Sequence, residues 1–273
     1  MVLMKRNEIV VLTFAGIVLI FASLILIFGF SFIGCKNQSS GGSISDDFTS
    51  DNNIVKDIDG NTYDIVQMGN QVWMKSNLRS THYADGTPIE MAESYKEKEP
   101  KYCKDEKTGE VYYNGYAASL KICPKGWHVS SLSDWKQLED YLIRNGYSCG
   151  AKETQVAKSL ASDEGWDEYS TPCTPGYNSR TTNNATGFSA KPLGYFQKSD
   201  PGFPSEYGEG SLVGVGWDAQ YWPSEEVDEH EIPSISGSYR SKYLINISAS
   251  EAIIESYEAN AAYFNSVRCV RDE

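Results

Sequence analysis

From Ile54 onward, short apolar runs alternate with turn dipeptides. In VKDIDGNTYDIVQMGNQVWMKSNL, the pairs Asp59-Gly60 and Gly69-Asn70 separate stretches rich in Ile, Val, Tyr and Trp. Hairpin turns that need positive φ use such pairs, so the pattern predicts an antiparallel meander. Tyr83 to Pro88 contains a further turn at Asp85-Gly86. Residues 93 to 110 alternate charges without an apolar period and read as an exposed loop. The period then changes. Ser131 is followed three residues later by Asp134, a capping arrangement, and Leu132, Trp135, Leu138 and Leu142 fall on one face. A helix is predicted there, stopped by Asn145-Gly146. Val156 and Leu160, four apart, suggest a second, shorter helix across 154–162. Beyond it come Gly-bounded β-prone segments around Gly187-Phe188, Gly194-Tyr195-Phe196, Gly216-Trp217 and the closing Asn265 to Arg271. These predict irregular strands joined by long loops. The segment SISGSYRSKYLINIS alternates as a strand with one solvent-facing side would. There is no internal repeat, and the predicted class is α+β.

The N-terminal pattern is different. Residues 9 to 34 carry no charge and 20 of these 26 are apolar; Lys5 and Arg6 precede the run and Lys36 is the first charge after it. Phe32-Ile33-Gly34-Cys35 resembles a bacterial lipoprotein signal, in which cleavage before Cys35 leaves a thiol for lipidation. Each buried CH₂ of the acyl chains adds ~0.8 kcal/mol of membrane affinity. The run also has the length, at ~1.5 Å per residue, to cross a ~30 Å hydrocarbon core as an uncleaved helical anchor. Both readings stay open, and both place the rest of the chain outside the cytoplasm, because Lys5 and Arg6 hold the N-terminus inside. The expected organisation is a signal peptide or anchor over 1–34, a flexible tether over 35–53 (KNQSSGGSISDDFTSDNN follows Cys35), and one domain over 54–273. The expected location is the outer membrane or cell surface.

Composition narrows the partners. With 24 Lys+Arg against 37 Asp+Glu, a net charge of -13 and no basic run, the chain lacks the stripe that phosphate-backbone binding requires, so nucleic acid is not an expected partner. Eighteen Tyr and six Trp supply large buried areas without many Leu or Ile. Trp127 and Trp135 are assigned to the core.

Motifs of catalysis and metal binding are missing from the sequence. His82, His128 and His230 form no HxxxH or HExxH spacing. The acidic stretch Glu225 to Glu231 lacks the DxDxDG spacing that wraps a loop around Ca²⁺, and reads as a solvated loop. There is no GxSxG and no Gly-rich phosphate loop, and no segment singles out a carboxylate pair. No catalytic residue, metal ligand or cofactor is therefore expected, which leaves binding. Trp217, Tyr221 and Trp222, next to the acidic loop, have the composition of a carbohydrate-stacking or protein-contact surface. The competing reading is that they are core residues of short strands. Tyr239 and Arg240, on the alternating segment, are further ligand-binding candidates.

The segments IDGNTYDIVQMGNQVWMKSNL, YADGTPI, ICPKGWHVSSLSDWKQLEDYL, NATGFSAKPLGYF and SVRCVRD, in this order, resemble the Fibrobacter succinogenes major paralogous domain over about residues 54 to 273. The resemblance implies a bacterial cell-surface module with a C-type-lectin-like fold, often carried on lipoproteins. It also implies that Cys123 joins Cys269; taken with that bond, Cys149 pairs with Cys173, and Cys103 is left over as a partly buried, inert thiol. The Glu-Pro-Asn and Trp-Asn-Asp tripeptides of calcium-dependent lectins are absent. Three functions are expected in this order: a non-catalytic surface binding or adhesion module for a glycan or protein partner, a structural or accessory subunit of a surface assembly, and a polysaccharide-acting enzyme.

Overall fold

The computed structural model describes residues 53–93, 98–196, 212–234 and 237–273, at 179, 180, 234 and 237 through the backbone alone. The proposed lipidation site Cys35, the apolar run and the tether lie outside the described residues. In chain order the elements are β1 (Ile54–Lys56), β2 (Thr62–Met68), β3 (Gln71–Met74), β4 (Glu90–Met91), β5 (Lys101–Lys104), β6 (Val111–Asn114), α1 (Gly115–Ala118), β7 (Trp127–Val129), α2 (Leu132–Arg144), α3 (Ala157–Leu160) and α4 (Ser179–Thr182). They continue with β8 (Leu193–Phe196), β9 (Leu212–Val215), β10 (Asp218–Tyr221), β11 (Glu231–Ser234), β12 (Gly237–Ser248), β13 (Glu255–Asn260), β14 (Phe264–Asn265) and β15 (Cys269–Arg271). The architecture is mixed but sheet-rich, with few and mostly one-turn helices. Among the described residues, no helix is long and apolar enough to cross a membrane.

Among the described residues the strands form three sheets. The first has the order β1-β2-β3-β15-β7, so the last strand of the chain is inserted between the meander and the strand that leads into α2. The second runs β10-β12-β11 with β13 also paired to β12, and the third runs β4-β5-β6-β14-β8-β9. The meander follows the turn pairs: Gly60 and Gly69 both have positive φ, the conformation for which glycine is suited. The charged stretch 93–110, expected to be a loop, contains β5. Tyr102, Cys103 and Lys104 pair with Tyr113, Tyr112 and Val111 of β6 across a turn over 105–110, so hairpin pairing organises a segment without an apolar period of its own.

α2 forms where the sequence period predicts it. Ser131 Oγ accepts from the Asp134 backbone N–H at 3.1 Å, and the Asp134 carboxylate accepts from the Ser131 N–H at 2.8 Å, a reciprocal capping box. Its buried face, Trp135, Leu138 and Leu142, packs on Trp73, Phe188 and Val270 of the first core cluster. Trp73 and Trp135 meet edge to face at 5.1 Å. The shorter helix is confined to α3, a single turn. Trp127 departs from its core assignment: it is only partly buried and packs at the margin of the second cluster.

Two disulfides and one buried, hydrogen-bonded guanidinium tie the sheets together. Cys123 is bonded to Cys269, joining the segment ahead of β7 to β15, and Cys149 is bonded to Cys173. Cys103 is free and buried. Arg268, 1 % exposed, is the keystone between β15 and its neighbours. Its guanidinium donates to Asn77 Oδ1 (3.2 and 2.8 Å), the Met74 and Phe188 carbonyls (2.9 and 2.8 Å) and Tyr221 Oη (3.3 Å), and lies 4.4 Å from the Phe188 ring centre. A guanidinium has five N–H donors, and the chain provides an acceptor for each.

Candidate functional site

The predicted aromatic cluster separates. Tyr221 packs against Trp135 at 5.3 Å and is fully buried; Trp222 is fully buried too, its indole N–H donating to the Tyr263 carbonyl at 3.3 Å. Neither presents a contact surface. The chain from β10 runs inward because Trp222 N–H bonds the Ser266 carbonyl at 3.0 Å, which carries both rings between sheets. Tyr239 and Arg240 sit half-buried on β12 opposite β11. The Asp218 end of β10 pairs with Ser248, eight residues farther along β12 than Arg240, or ~26 Å at ~3.3 Å per residue. The structure therefore does not bring Tyr239 and Arg240 to Trp217.

Trp217 alone of the cluster is open, 40 % exposed, and its neighbour is Tyr169, 37 % exposed, with the rings edge to face at 6.0 Å. Tyr169 lines a basin of about 520 Å³ together with Trp166, Glu168, Gly176, Tyr177, Asn178 and Thr181. A network of backbone hydrogen bonds builds it from segments distant in sequence. Asp167 N–H donates to the Gly216 carbonyl (2.8 Å), Tyr169 N–H to Gly176 (3.1 Å), Gly176 N–H to Ala249 (3.0 Å) and Ala249 N–H to Trp217 (2.7 Å). Two glycines permit this closeness. A Cβ on Gly176 would lie 2.5 Å from the Asp167 carbonyl oxygen, and one on Gly216, which has φ +87°, would lie 2.8 Å from the Asp167 carboxyl group.

Lys158 holds the floor. It is buried on α3, and its ammonium donates to the Thr174 carbonyl at 3.0 Å and to the Tyr177 carbonyl, fixing the turn that carries Gly176. Burial lowers its pKa to about 8. The Cys149–Cys173 bond fixes the residue just before that turn. Asp167, Glu168 and Tyr169 are exposed, whereas Trp166 is buried. The indole Nε1 of Trp166 has no hydrogen-bond partner among the described residues.

A larger cleft, about 740 Å³, lies at the CPKGWH segment, between Trp127, Pro124, Leu120 and Tyr83. Its chemical groups are already engaged. His128 donates through Nδ1 to Asp272 (2.7 Å) and through Nε2 to Asp134 (3.2 Å). The Asp134 hydrogen bond, assisted by Asp272 and opposed by burial, raises the imidazole to about 9. Burial alone would raise Asp134, but His128 and Ser131 hold it down at about 2. An imidazolium with both nitrogens donating is a clip between β7, α2 and the C-terminus rather than a poised base. Cys123, also on this cleft, is in its disulfide.

The acidic stretch is folded into similar clips: Glu225 accepts from the Leu132 N–H at 2.8 Å, Lys98 pairs with Glu231 at 2.6 Å, and Asp228 with His230 at 2.9 Å. Among the described residues no three His, Cys, Asp or Glu side chains gather as a metal-ligating group. Burial pushes the Cys103 thiol well above its ordinary range.

The family model of the Fibrobacter succinogenes major domain matches residues 66–271, from β2 to β15. The chain belongs to this family. No curated protein and no solved structure shows a significant match to it. In this member of the Fibrobacter succinogenes major domain family, the matched region contains both cystine pairs, α2 and the whole basin. Sequence reasoning selected Trp217 but passed over Trp166, Tyr169 and Tyr177, which lie in an irregular stretch. The available signal was three aromatic residues within twelve positions, interleaved with Pro and Gly, in a segment with no period of its own.

Proposed function

We propose that the protein is a membrane-anchored, extracytoplasmic binding module whose ligand is a glycan, held on the Trp217–Tyr169 face without chemical turnover. The observation that carries this reading is the exposed edge-to-face pair of Trp217 and Tyr169 beside a basin of about 520 Å³. Large rigid aromatic rings offer contact area at low entropy cost, and the basin is of a size that small ligands and sugar units occupy. The uncharged run over residues 9–34 supports the anchor, and two cystines support an oxidising compartment. A C-type-lectin-like arrangement is part of the same proposal. It rests on the sheet-rich fold with a bond from the segment ahead of the main helix to the last strand.

The test is a glycan array probed with the full-length protein in detergent. Binding to at least one glycan, lost in Trp217→Ala and Tyr169→Ala while the circular dichroism spectrum is kept, is the expected result. Absence of binding to every glycan, with a protein co-purifying in stoichiometric amount, would replace this reading with an accessory subunit of a surface assembly.

A further inference from the structure

We infer that the basin beside Trp217 seats a neutral pyranose unit, one that accepts a hydrogen bond from Trp166 Nε1 and offers hydroxyl donors to Glu168. This rests on the glycan-binding reading and specifies its ligand chemistry.

Three observations select that class. Trp166 is 7 % exposed, yet its N–H is buried without a partner in the described chain while the residue lines the basin. A buried donor left unpaired is costly, so a ligand that fits must bring an acceptor oxygen. A quaternary ammonium, the other common guest of clustered aromatic rings, brings none. The second observation is charge. Glu168 lines the basin, Asp167 lies against Gly216 beside Trp217, and none of the described side chains lining the basin is cationic. Lys158 is directed to the Thr174 and Tyr177 carbonyls beneath the floor. The Glu168 carboxylate, with no cationic side chain on the lining and in a chain of net charge -13, repels uronate and sulfate groups but accepts hydroxyl donors. The third is shape. Tyr169 lines the basin and its ring meets that of Trp217 edge to face at 6.0 Å, so an exposed aromatic surface on which a sugar ring can stack adjoins the polar lining.

The experiment titrates the full-length protein in detergent with maltohexaose, cellohexaose, mannohexaose, hexagalacturonate and tetramethylammonium by calorimetry. At least one neutral hexaose is expected to bind, and hexagalacturonate and tetramethylammonium are not. Trp166→Phe keeps an aromatic ring but removes the N–H together with the five-membered ring of the indole; with the circular dichroism spectrum kept, it is expected to weaken that neutral ligand roughly fivefold to tenfold. Glu168→Lys, at an exposed position, leaves the fold intact and is expected to weaken the neutral ligand and to gain hexagalacturonate binding. Unchanged affinity in both variants, for a glycan whose binding Trp217→Ala abolishes, would overturn this inference and leave the glycan reading standing. A wild-type preference for hexagalacturonate or tetramethylammonium would overturn it as well. Binding of no carbohydrate by the wild-type protein would overturn both.

Discussion

The two cystines offer an internal comparison that tests how the fold is held. Cys123–Cys269 closes 146 residues and Cys149–Cys173 closes 24. Chain entropy at 25 °C gives about 5 kcal/mol for the first loop and about 3.4 kcal/mol for the second, a gap of about 1.6 kcal/mol set only by loop length. Topology widens the gap. Cys269 begins β15, which lies between β3 and β7, so freeing it loosens the centre of the first sheet. Cys123 and Cys269 are both almost wholly buried, so replacement by Ala adds a cavity cost, whereas Cys149 is only half-buried. For a domain of this size the double variant Cys123→Ala/Cys269→Ala should lower Tm by ~10–20 °C, and Cys149→Ala/Cys173→Ala by ~7–14 °C. Thermal unfolding of the full-length protein, followed by tryptophan fluorescence, measures both. Equal costs, or a larger cost for the short loop, would refute the view that the long-range bond is the principal constraint.

Further outcomes follow from single side chains. Arg268→Lys cannot supply five donors and leaves carbonyls of Met74 and Phe188 or Asn77 Oδ1 unpaired, so a loss of about 3–5 kcal/mol in urea unfolding is expected. His128 should titrate near pH 9 by NMR. Because its folded pKa is raised, its contribution is complete below the unfolded value of 6.5 and lost as pH rises through about 9. Asp134, whose folded pKa is depressed, contributes fully above 3.8 and loses that contribution as pH falls through about 2. The clip is thus complete between pH 3.8 and 6.5, and His128→Asn should abolish the alkaline decline in Tm. Gly176→Ala should leave the first sheet intact but reduce glycan affinity by at least tenfold, since the new Cβ would meet backbone at 2.5 Å and push the Trp166–Tyr169 segment off Trp217. Cys103 should resist iodoacetamide at pH 8 in the native protein and react once unfolded, as mass spectrometry would show.

What could be read from the sequence was what is local. The meander was legible because Asp59-Gly60 and Gly69-Asn70 specify turns without help, and α2 because its cap and its apolar period lie within fourteen residues. β5 was not, because Lys101 to Lys104 become a strand only through pairing with β6. Composition marked Trp217, Tyr221 and Trp222 together, but burial depends on where β10 is carried by its partners, and that separates adjacent aromatic residues into one outside and two inside. Arg268 was passed over for a similar reason. A lone arginine in an alternating strand reads as outward-facing, and only the arrangement of Asn77, Met74, Phe188 and Tyr221 around it makes an interior position tolerable.

The basin shows why a site of this type escapes periodicity. Its lining is presented by loops, and loops gain definite shape only from what they are fastened to. Here the fastenings are a cystine at Cys173, the Lys158 ammonium under Thr174 and Tyr177, and backbone bonds to Gly216 and Ala249. Each lies outside the lining aromatic rings and each uses a different interaction. The rigid sheets and α2 carry the stability, while this loop assembly can change its lining residues without disturbing the Arg268 keystone or the β15 insertion. Among relatives, ligand preference should therefore vary with the residues at positions 166 to 181 and at 217. Swapping the exposed residues 167–169 for a sequence with a different charge should alter which sugar is held and leave the free energy of urea unfolding within about 0.5 kcal/mol of the parent. A large stability loss on that exchange would show that the basin is part of the core and not a separable binding surface.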